Sequence, residues 1–160
     1  MEKRGEMVTK YWLVKSEPDV YPFGQLEIDG STHWDGVRNY QARNIMRDDM
    51  KMDDLVLFYH SNTKPPHVAG LARVCKEGYP DHTSWDPKSN YFDPKSSPEN
   101  PRWSMIDIEA IEPMEMVSLP ILKQNPALEG MPLLARGQRL SVQPVSEIHF
   151  NEVCKMGGIR

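Results

Sequence analysis

Proline placement is the feature that most restricts how this chain folds. Five of the 14 prolines lie within residues 80–101, together with Asn, Asp and Ser residues. Proline lacks a backbone N–H and fixes φ, so neither a helix nor an inner strand of a sheet can cross this segment. The sequence therefore predicts one long loop, and a loop of this length in a compact domain is usually functional or mobile. The aromatic residues in or beside it predict that it packs against the domain; they are Trp85, Tyr91, Phe92 and Trp103.

Length and charge exclude several classes of protein. With 160 residues, 39% of them hydrophobic, the chain can form one ordinary domain whose core needs no disulfide or metal. Nineteen Lys and Arg against 23 Asp and Glu give a net charge of −4, which argues against a protein that coats nucleic acid along its phosphates. Any contact with nucleic acid is therefore expected to be local. The apolar runs are much shorter than the roughly 18 residues that cross a bilayer, so we expect no membrane association.

The N-terminus, the cysteines and the histidines carry little recognisable chemistry. Residues 1–10 are charged and lack the apolar run of a secretory signal, which predicts a disordered or frayed terminus. Cys75 and Cys154 are too few for a disulfide framework, which favours the cytoplasm, or the nucleus in a eukaryote. The five histidines lack the spacing of metal ligands, so we expect neither a metal nor a cofactor.

Short apolar runs and helical patterns alternate along the rest of the chain. Runs rich in β-branched and aromatic residues predict strands at 11–14, 55–59, 68–76, 106–110 and 140–143, the last ended by Pro144. Helical spacing predicts helices at 23–28, with Leu26 and Ile28 inward, at 38–52, at 118–123 and after Ser146. Because no regular βαβ rhythm appears, we predict an α+β fold with a curved sheet or small β-barrel and helices outside it.

Polar and aromatic residues cluster where predicted elements begin or end. Residues 15–16 follow the first strand, 34–40 precede the main helix and 59–62 follow another strand. Such a set suits a flat heteroaromatic ligand, because an aromatic ring offers a stacking face and Asn or Ser offers hydrogen bonds to a base edge. The alternative interpretation is that these aromatic side chains belong to the core and that Asn39 only caps the helix.

Motifs of covalent catalysis and phosphate binding are not found in the sequence. It contains no Gly-x-Ser-x-Gly and no glycine-rich phosphate loop. An enzyme acting on a base or nucleoside would need a nucleophile beside a base, and only Lys15, Ser16 and His60 fit that requirement. The sequence therefore favours a binding protein without catalytic residues.

Seven blocks of sequence resemble the EVE domain family. They lie at 11–18, 34–44, 58–62, 69–71, 79–83, 100–105 and 139–144. The resemblance extends over about residues 11–154, and we assign 11–156 to a single domain of this family. It implies a PUA-like fold related to the YTH readers of methylated adenine. It also implies non-enzymatic binding of a modified base, such as methylated or hydroxymethylated cytosine, in DNA or RNA.

The same resemblance implies a set of ligand-binding residues. They are Lys15, Ser16, Trp34, Val37, Arg38, Asn39, Tyr59, His60, Ser61, Gln143 and Pro144. Trp34 is the candidate stacking face, and Asn39 and Ser16 are candidates to read the polar edge of the base. Lys15 and Arg38 are placed to meet a phosphate or a polar substituent.

Several of these assignments have a structural alternative. Arg38 is also explained by a salt bridge at the helix start, and Gln143 and Pro144 by the end of a strand. If Trp34 only lines a pocket, its replacement by Ala should abolish binding and leave the melting temperature nearly unchanged. A third class of function is a protein scaffold that uses loop 80–101 to bind a partner, with Trp85 and Tyr91 as anchors.

Overall fold

The structure, a computed structural model, describes residues 8–159. This part of the chain forms six strands and four α-helices. The strands are β1 (Tyr11–Ser16), β2 (Ser31–His33), β3 (Leu55–His60), β4 (His67–Pro80), β5 (Ser104–Ser118) and β6 (Val142–Val145). The helices are α1 (Phe23–Asp29), α2 (Tyr40–Asn44), α3 (Leu119–Gln124) and α4 (Glu147–Met156), and a π-helical turn, Ile45–Asp49, continues α2.

All six strands belong to one mixed sheet, in the order β2-β5-β4-β3-β1-β6. β1 and β3 are parallel, and the other neighbouring pairs are antiparallel. β4 and β5 shift register at four places along their length, and such bulges bend a strand pair. The edge strands β2 and β6 do not pair with each other in the described part of the chain. The predicted α+β fold is thus confirmed, and of the two forms predicted, a curved sheet or a small β-barrel, the sheet takes the first, since it is curved and not closed.

Both faces of the sheet are buried. Trp12 and Val14 point to one hydrophobic cluster, which includes residues of α1 and α2. Leu13, between them, points to a second cluster that includes residues of α3 and α4. Because successive side chains of a strand alternate between faces, a strand covered on both sides must be apolar at nearly every position. This explains the uninterrupted apolar run of β3.

The main helix is shorter than predicted. The segment predicted as a helix over 38–52 begins after Asn39, whose side chain caps α2, and its regular turns end at Asp49. The predicted inward residues Ala42, Ile45, Met46 and Met50 are all buried. The inward position predicted for Ile28 is wrong, since its side chain is 80% exposed. Phe23 and Leu26 form the inner side of the short α1 instead.

The last strand continues through a proline. The prediction that Pro144 ends this strand is wrong, because β6 spans Val142–Val145 and Pro144 pairs with Trp12. β6 is an edge strand, where a missing N–H need not break the ladder.

The proline-rich segment is a packed loop, as predicted. It contains one short 3-10 helix, His82–Trp85. The Trp103 indole N–H donates to Asp93 Oδ2 at 2.7 Å, and the buried hydroxyls of Ser84 and Ser96 lie 2.8 Å apart. The Trp103–Asp93 contact ties the loop to the residue before β5, and the Ser84–Ser96 contact joins two parts of the loop.

The predicted frayed terminus falls largely outside the described residues, which exclude 1–7. Its last residue, Lys10, is held by two backbone hydrogen bonds. Lys10 N–H donates to Asp54 Oδ1 at 3.2 Å, and its carbonyl accepts from Leu55 N–H at 3.1 Å. The buried Asp54 also accepts from the Trp12 indole N–H at 2.8 Å. Ordered backbone therefore begins before β1.

We expect Gly70→Ala to destabilise the fold, because α1 packs tightly on the sheet at this position. A Cβ at residue 70 would lie 2.4 Å from the Phe23 ring, which cannot move aside without disturbing the core. Overpacking of this kind costs about 1–3 kcal/mol. Chemical denaturation would measure the loss.

Gly24→Ala is the matched control. A Cβ at Gly24 meets no atom within 4 Å, and Ala favours a helix over Gly by up to about 1 kcal/mol. This variant should be as stable as the parent or more so. Equal stability of Gly70→Ala and the parent would contradict the tight packing.

Candidate functional site

A cavity of about 510 Å³ opens at the carboxyl end of β1, between the segment after β2 and the long loop. Its volume lies in the range of small-molecule sites. The lining residues come from four parts of the chain: Lys15, Ser16, Glu17, Val20, Tyr21, Thr32, His33, Trp34, Asp35, Gly36, Val37, Arg38, Tyr91 and Ser141. Five of the predicted ligand-binding residues are therefore brought together here. They are Lys15, Ser16, Trp34, Val37 and Arg38.

Lys15 is the half-buried cation of this cavity. Its backbone N–H donates to Ser141 O at 2.9 Å, which fixes the end of β1. Within residues 8–159 its ammonium has no hydrogen-bond or ion-pair partner, and burial lowers its pKa. An unpaired ammonium in such a place is available to an acceptor on a ligand. The neighbouring Ser16 hydroxyl donates to Tyr21 O at 2.7 Å, so only its lone pairs are free.

Trp34 belongs both to the core and to the cavity. Its side chain is 8% exposed, and its indole makes edge contacts with Tyr21 and Phe58, with ring centroids 6.5 and 5.4 Å away. Truncating a buried Trp to Ala costs about 3–5 kcal/mol. The expectation that Trp34→Ala leaves the melting temperature unchanged is therefore wrong.

The indole N–H of Trp34 is a free donor. It has no hydrogen-bond partner in the described part of the chain, and it is not sealed from solvent. Trp12 and Trp103, by contrast, each donate to an Asp carboxylate. Because Trp34 lines the cavity, its N–H can donate to a ligand there.

Tyr91 brings the long loop to the cavity. Its ring packs on the backbone of Gly36, where a Cβ would come within 2.7 Å of the ring. Gly36 also has φ +77°, a conformation that favours glycine. Tyr91 is 36% exposed, so this residue remains accessible to a ligand.

Arg38 and the buried Asp81 join the loop to the segment before α2. Arg38 Nη1 donates to Asp81 Oδ2 at 3.0 Å, and its Nη2 donates to Tyr91 O at 2.6 Å. Burial alone would raise the pKa of Asp81, but hydrogen bonds from Thr83, Gly36 N–H and Arg38 outweigh it and hold the pKa below its ordinary value. The salt bridge weighed as the alternative for Arg38 is thus present. Most of the Arg38 N–H groups donate to these protein acceptors, so the main role of Arg38 is to hold the cavity wall in position.

Asp35 places a carboxyl group in the cavity. It is half-buried, and its nearest ionic neighbour is His33, with Nε2 3.6 Å from Oδ2. Burial raises the pKa of Asp35 above its ordinary value; His33 opposes this rise and Asp81 adds to it. A carboxylate here can accept a hydrogen bond from an exocyclic amine of a ligand.

Five other predicted residues do not line this cavity. Asn39 accepts from Ala42 N–H at 2.9 Å and caps α2, as the alternative interpretation states. The backbone N–H of Ser61 donates to Ser16 O at 2.9 Å. The buried Gln143 donates to Leu140 O at 2.7 Å, and Pro144 lies exposed on β6. Tyr59 is buried and lines a different cavity.

His60, the remaining predicted residue, has a structural role. Phe23 N–H, at the start of α1, donates to His60 Nε2 at 3.1 Å, which places the His60 proton on Nδ1. That proton points at His67 Nε2, 3.2 Å away, and His67 Nδ1 then donates to Pro65 O at 2.8 Å. All four ring nitrogens of His60 and His67 therefore take part in hydrogen bonds. Burial, and next the charge of His67, lower the pKa of His60.

Several cavity residues were missed by the sequence analysis. They are Glu17, Val20, Tyr21, Thr32, His33, Asp35, Gly36, Tyr91 and Ser141. Asp35 and Gly36 lie inside the block at 34–44, so their position beside Trp34 was a usable signal. Tyr91 carried no such signal, because the loop fold alone brings it to the cavity.

A match to a family model identifies the family of this chain. The model described as EVE domain matches residues 10–156. This chain belongs to the EVE domain family. Thymocyte nuclear protein 1 of Rattus norvegicus is 39% identical to this EVE domain over 95% of the chain and 75% of its own length.

Solved structures agree with this assignment. A hypothetical protein from Leishmania major has a TM-score of 0.90 and 43% identity, and the match covers 94% of this EVE domain and 96% of that chain. Human THYN1, solved in complex with DNA containing 5-methylcytosine, has a TM-score of 0.85 and 38% identity over 95% and 99% of the two chains. The fold of this EVE domain is therefore shared with a protein that was crystallised on modified DNA.

The part of the chain that the structure describes contains neither a cluster of metal-binding side chains nor a membrane-spanning helix. Between residues 8 and 159, no three His, Cys, Asp or Glu side chains are grouped to hold a metal ion. In the same range no helix has the length and apolar character needed to cross a membrane.

We expect stability to fall as the pH drops below about 6.5, through His60. The folded state holds His60 neutral, whereas the unfolded chain takes up a proton near the ordinary pKa of 6.5. Stability is therefore full above pH 6.5 and decreases as the pH falls toward the lowered pKa of the folded state. In His60→Gln the decrease in melting temperature between pH 7.5 and 5 should be smaller than in the parent.

His82→Gln provides the control, because His82 is exposed on the loop. This variant should keep the pH dependence of the parent. If His60→Gln keeps it too, the folded state does not depend on a neutral His60.

Proposed function

We propose that this EVE domain binds a modified nucleobase, such as methylated or hydroxymethylated cytosine, in DNA or RNA, and leaves it chemically unaltered. The observation that carries the proposal is the cavity with aromatic and polar walls at the end of β1. The complex of human THYN1 with DNA containing 5-methylcytosine supports the same ligand class.

The aromatic residues of the cavity suit a planar ring. Tyr21, Trp34 and Tyr91 all line it, and its volume of about 510 Å³ is ample for one base. Stacking on an aromatic side chain contributes about 1–3 kcal/mol per base. Tyr91 is the most exposed of these three residues, so it replaces Trp34 as the main stacking face in this proposal.

The polar groups of the cavity suit the edge of cytosine. In this proposal the Asp35 carboxylate accepts from the exocyclic amine, and the free Trp34 N–H and Lys15 ammonium donate to acceptors of the base. A methyl group alone adds about 0.8 kcal/mol, or roughly a fourfold preference. Leaving a polar group unpaired when the wrong base enters adds about 1–3 kcal/mol, so shape and edge recognition act together.

The charge of the cavity is close to balanced. Lys15 and Arg38 are matched by Glu17 and Asp35, and Arg38 is already paired with Asp81. A neutral base fits such a site, as does the net charge of −4 for the whole chain. Extruding a base from a duplex costs a few kcal/mol, so single-stranded or distorted substrates should bind more readily.

The positions of the candidate catalytic residues support binding without catalysis. Ser16 donates its hydroxyl proton to Tyr21 O, and both ring nitrogens of His60 are hydrogen-bonded elsewhere. Among the described residues, neither histidine of the His60–His67 pair lines the cavity with Lys15. The proposed compartment is the cytoplasm, or the nucleus in a eukaryote.

The alternative function, a scaffold whose loop binds a partner through Trp85 and Tyr91, is weakened because Tyr91 has other contacts. Tyr91, taken from the sequence as a partner-binding anchor, is engaged with Gly36 and Arg38 at the cavity. Trp85, the other anchor, is half-buried. We therefore assign the loop to the base-binding cavity.

Tyr91→Ala should weaken binding to a single-stranded oligonucleotide containing 5-methylcytosine by roughly tenfold to a hundredfold, because one stacked ring is lost. The melting temperature should change little, since the ring is partly exposed. Fluorescence anisotropy would measure Kd for oligonucleotides of DNA and RNA with cytosine, 5-methylcytosine or 5-hydroxymethylcytosine.

Phe92→Ala is the matched control, because Phe92 is the next residue, is 41% exposed and does not line the cavity. Its Kd should equal that of the parent. Equal binding of modified and unmodified oligonucleotides by the parent would sink the proposed function. Unchanged binding by Tyr91→Ala would remove Tyr91 as the stacking face.

Trp34→Phe should separate the ligand role of Trp34 from its role in the core. Phe retains an aromatic ring against Phe58 and lacks the indole N–H, so it should lose less stability than Trp34→Ala and still bind more weakly than the parent. Thermal unfolding and anisotropy on the same samples would test this. Parent-like affinity of Trp34→Phe would show that the N–H is not used.

A further inference from the structure

A second cavity, of about 600 Å³, adjoins Lys15 on the side of the sheet that carries α3. Three cationic side chains line it: Lys15, Lys123 and Arg136. Within residues 8–159, its lining contains no carboxylate. In a chain with a net charge of −4, three cations around one cavity are a strong local excess. Such a site attracts an anion.

A buried hydroxyl without a partner also points to a ligand in this cavity. Tyr59 is 3% exposed, and its hydroxyl has no hydrogen-bond partner in the described part of the chain. The hydroxyl is nevertheless not sealed from solvent, and this cavity is where Tyr59 meets open space. Buried polar groups are nearly always hydrogen-bonded, so an unpaired hydroxyl at a cavity is available to a ligand.

The turn that closes the cavity adds backbone donors. Gln138 N–H donates to Ala135 O at 3.1 Å and closes a turn around Arg136 and Gly137. The N–H groups of Arg136 and Gly137 have no hydrogen-bond acceptor among residues 8–159. Backbone N–H groups beside cations bind the oxygens of anions.

The two cavities therefore differ in the chemistry they accept. The first has aromatic walls and nearly balanced charge, and the second has only cations and neutral groups. Lys15 lines both of them. A nucleotide presents two groups that complement these cavities: a neutral planar base for the first and an anionic phosphate for the second.

We propose that the second cavity binds a backbone phosphate of the nucleic acid whose modified base occupies the first cavity. Lys123, Arg136 and the Tyr59 hydroxyl contact the phosphate, and Lys15 lies between phosphate and base. This inference rests on the proposed function for the first cavity. In this inference the second cavity contributes to the affinity for nucleic acid and does not contribute to the selectivity among bases.

The double variant Lys123→Gln/Arg136→Gln tests the proposal. Its Kd should rise by the same factor for single-stranded oligonucleotides with and without 5-methylcytosine, because a phosphate carries no base information. The slope of log Kd against log salt should fall by about 0.7 for each phosphate that is no longer neutralised. Anisotropy at 50, 100 and 200 mM NaCl would measure both quantities.

Arg47→Gln/Lys51→Gln is the charge-matched control, because it also removes one Arg and one Lys, and neither lines a cavity. It should leave Kd and the salt slope close to those of the parent. Equal losses of affinity in both double variants would show a general effect of charge and overturn the proposed phosphate site.

Tyr59→Phe removes only the unpaired hydroxyl. It should keep the melting temperature of the parent and weaken both oligonucleotides by the same severalfold factor. Parent-like affinity in this variant would overturn the role of the hydroxyl.

A measurement without a base separates this inference from the proposed function. Inorganic phosphate added to the isotope-labelled parent should shift the backbone amide signals of Arg136 and Gly137, and the shifts should be lost in Lys123→Gln/Arg136→Gln. If the parent shows these shifts and does not prefer modified oligonucleotides, the phosphate site stands and the proposed function fails. If the parent prefers modified oligonucleotides and phosphate shifts no signal around the turn, the phosphate site is overturned.

Discussion

The buried carboxylate of Asp81 connects the two segments that form the first cavity. It accepts from Gly36 N–H and from Arg38, each at 3.0 Å, and from both the backbone N–H and the hydroxyl of Thr83. A buried charge is costly unless it is paired and hydrogen-bonded, and here a guanidinium and three further donors meet that requirement. Because Arg38 also donates to the Tyr91 carbonyl, this carboxylate helps to hold the loop beside the segment before α2.

The sheet explains why both cavities lie at strand ends. Its two faces are covered by separate hydrophobic clusters, so the middle of β1 and β3 has no room for a ligand. At the end of β1 the apolar run gives way to Lys15, whose strand partner is Tyr59. The cavity on one side of this point has aromatic walls and the cavity on the other side has cationic ones. A half-buried lysine between them links the two kinds of recognition.

The elements that follow from local physics were predicted well. The apolar runs of β1 and β3 require burial on both sides, and the prolines of 80–101 prevent a long helix or an inner strand from crossing that segment whatever the rest of the chain does. The caps Asn39 and Ser146 act on amides within three residues of themselves. β2 was missed because three residues without an apolar pattern form a strand only when a longer neighbour, β5, offers them partners.

The site was predicted less completely, for a physical reason. Sequence blocks located Lys15, Ser16, Trp34, Val37 and Arg38, because these residues are near one another along the chain or at the ends of strong strands. His60 came from the same reasoning, yet its ring turns toward α1 and His67. Tyr91 reaches the cavity because Arg38, 53 residues earlier in the chain, donates a hydrogen bond to its carbonyl.

The sequence by itself determined five of the six strands, the packed loop, the family and the five cavity residues that lie in contiguous blocks. Tertiary structure alone decided which side chains meet, since hydrogen bonds and charge pairs between distant segments depend on how the loop and helices pack. It also decided that Trp34 is both core and cavity wall. No pattern along the chain encodes such a double role, because burial and access to a ligand are properties of the packed molecule.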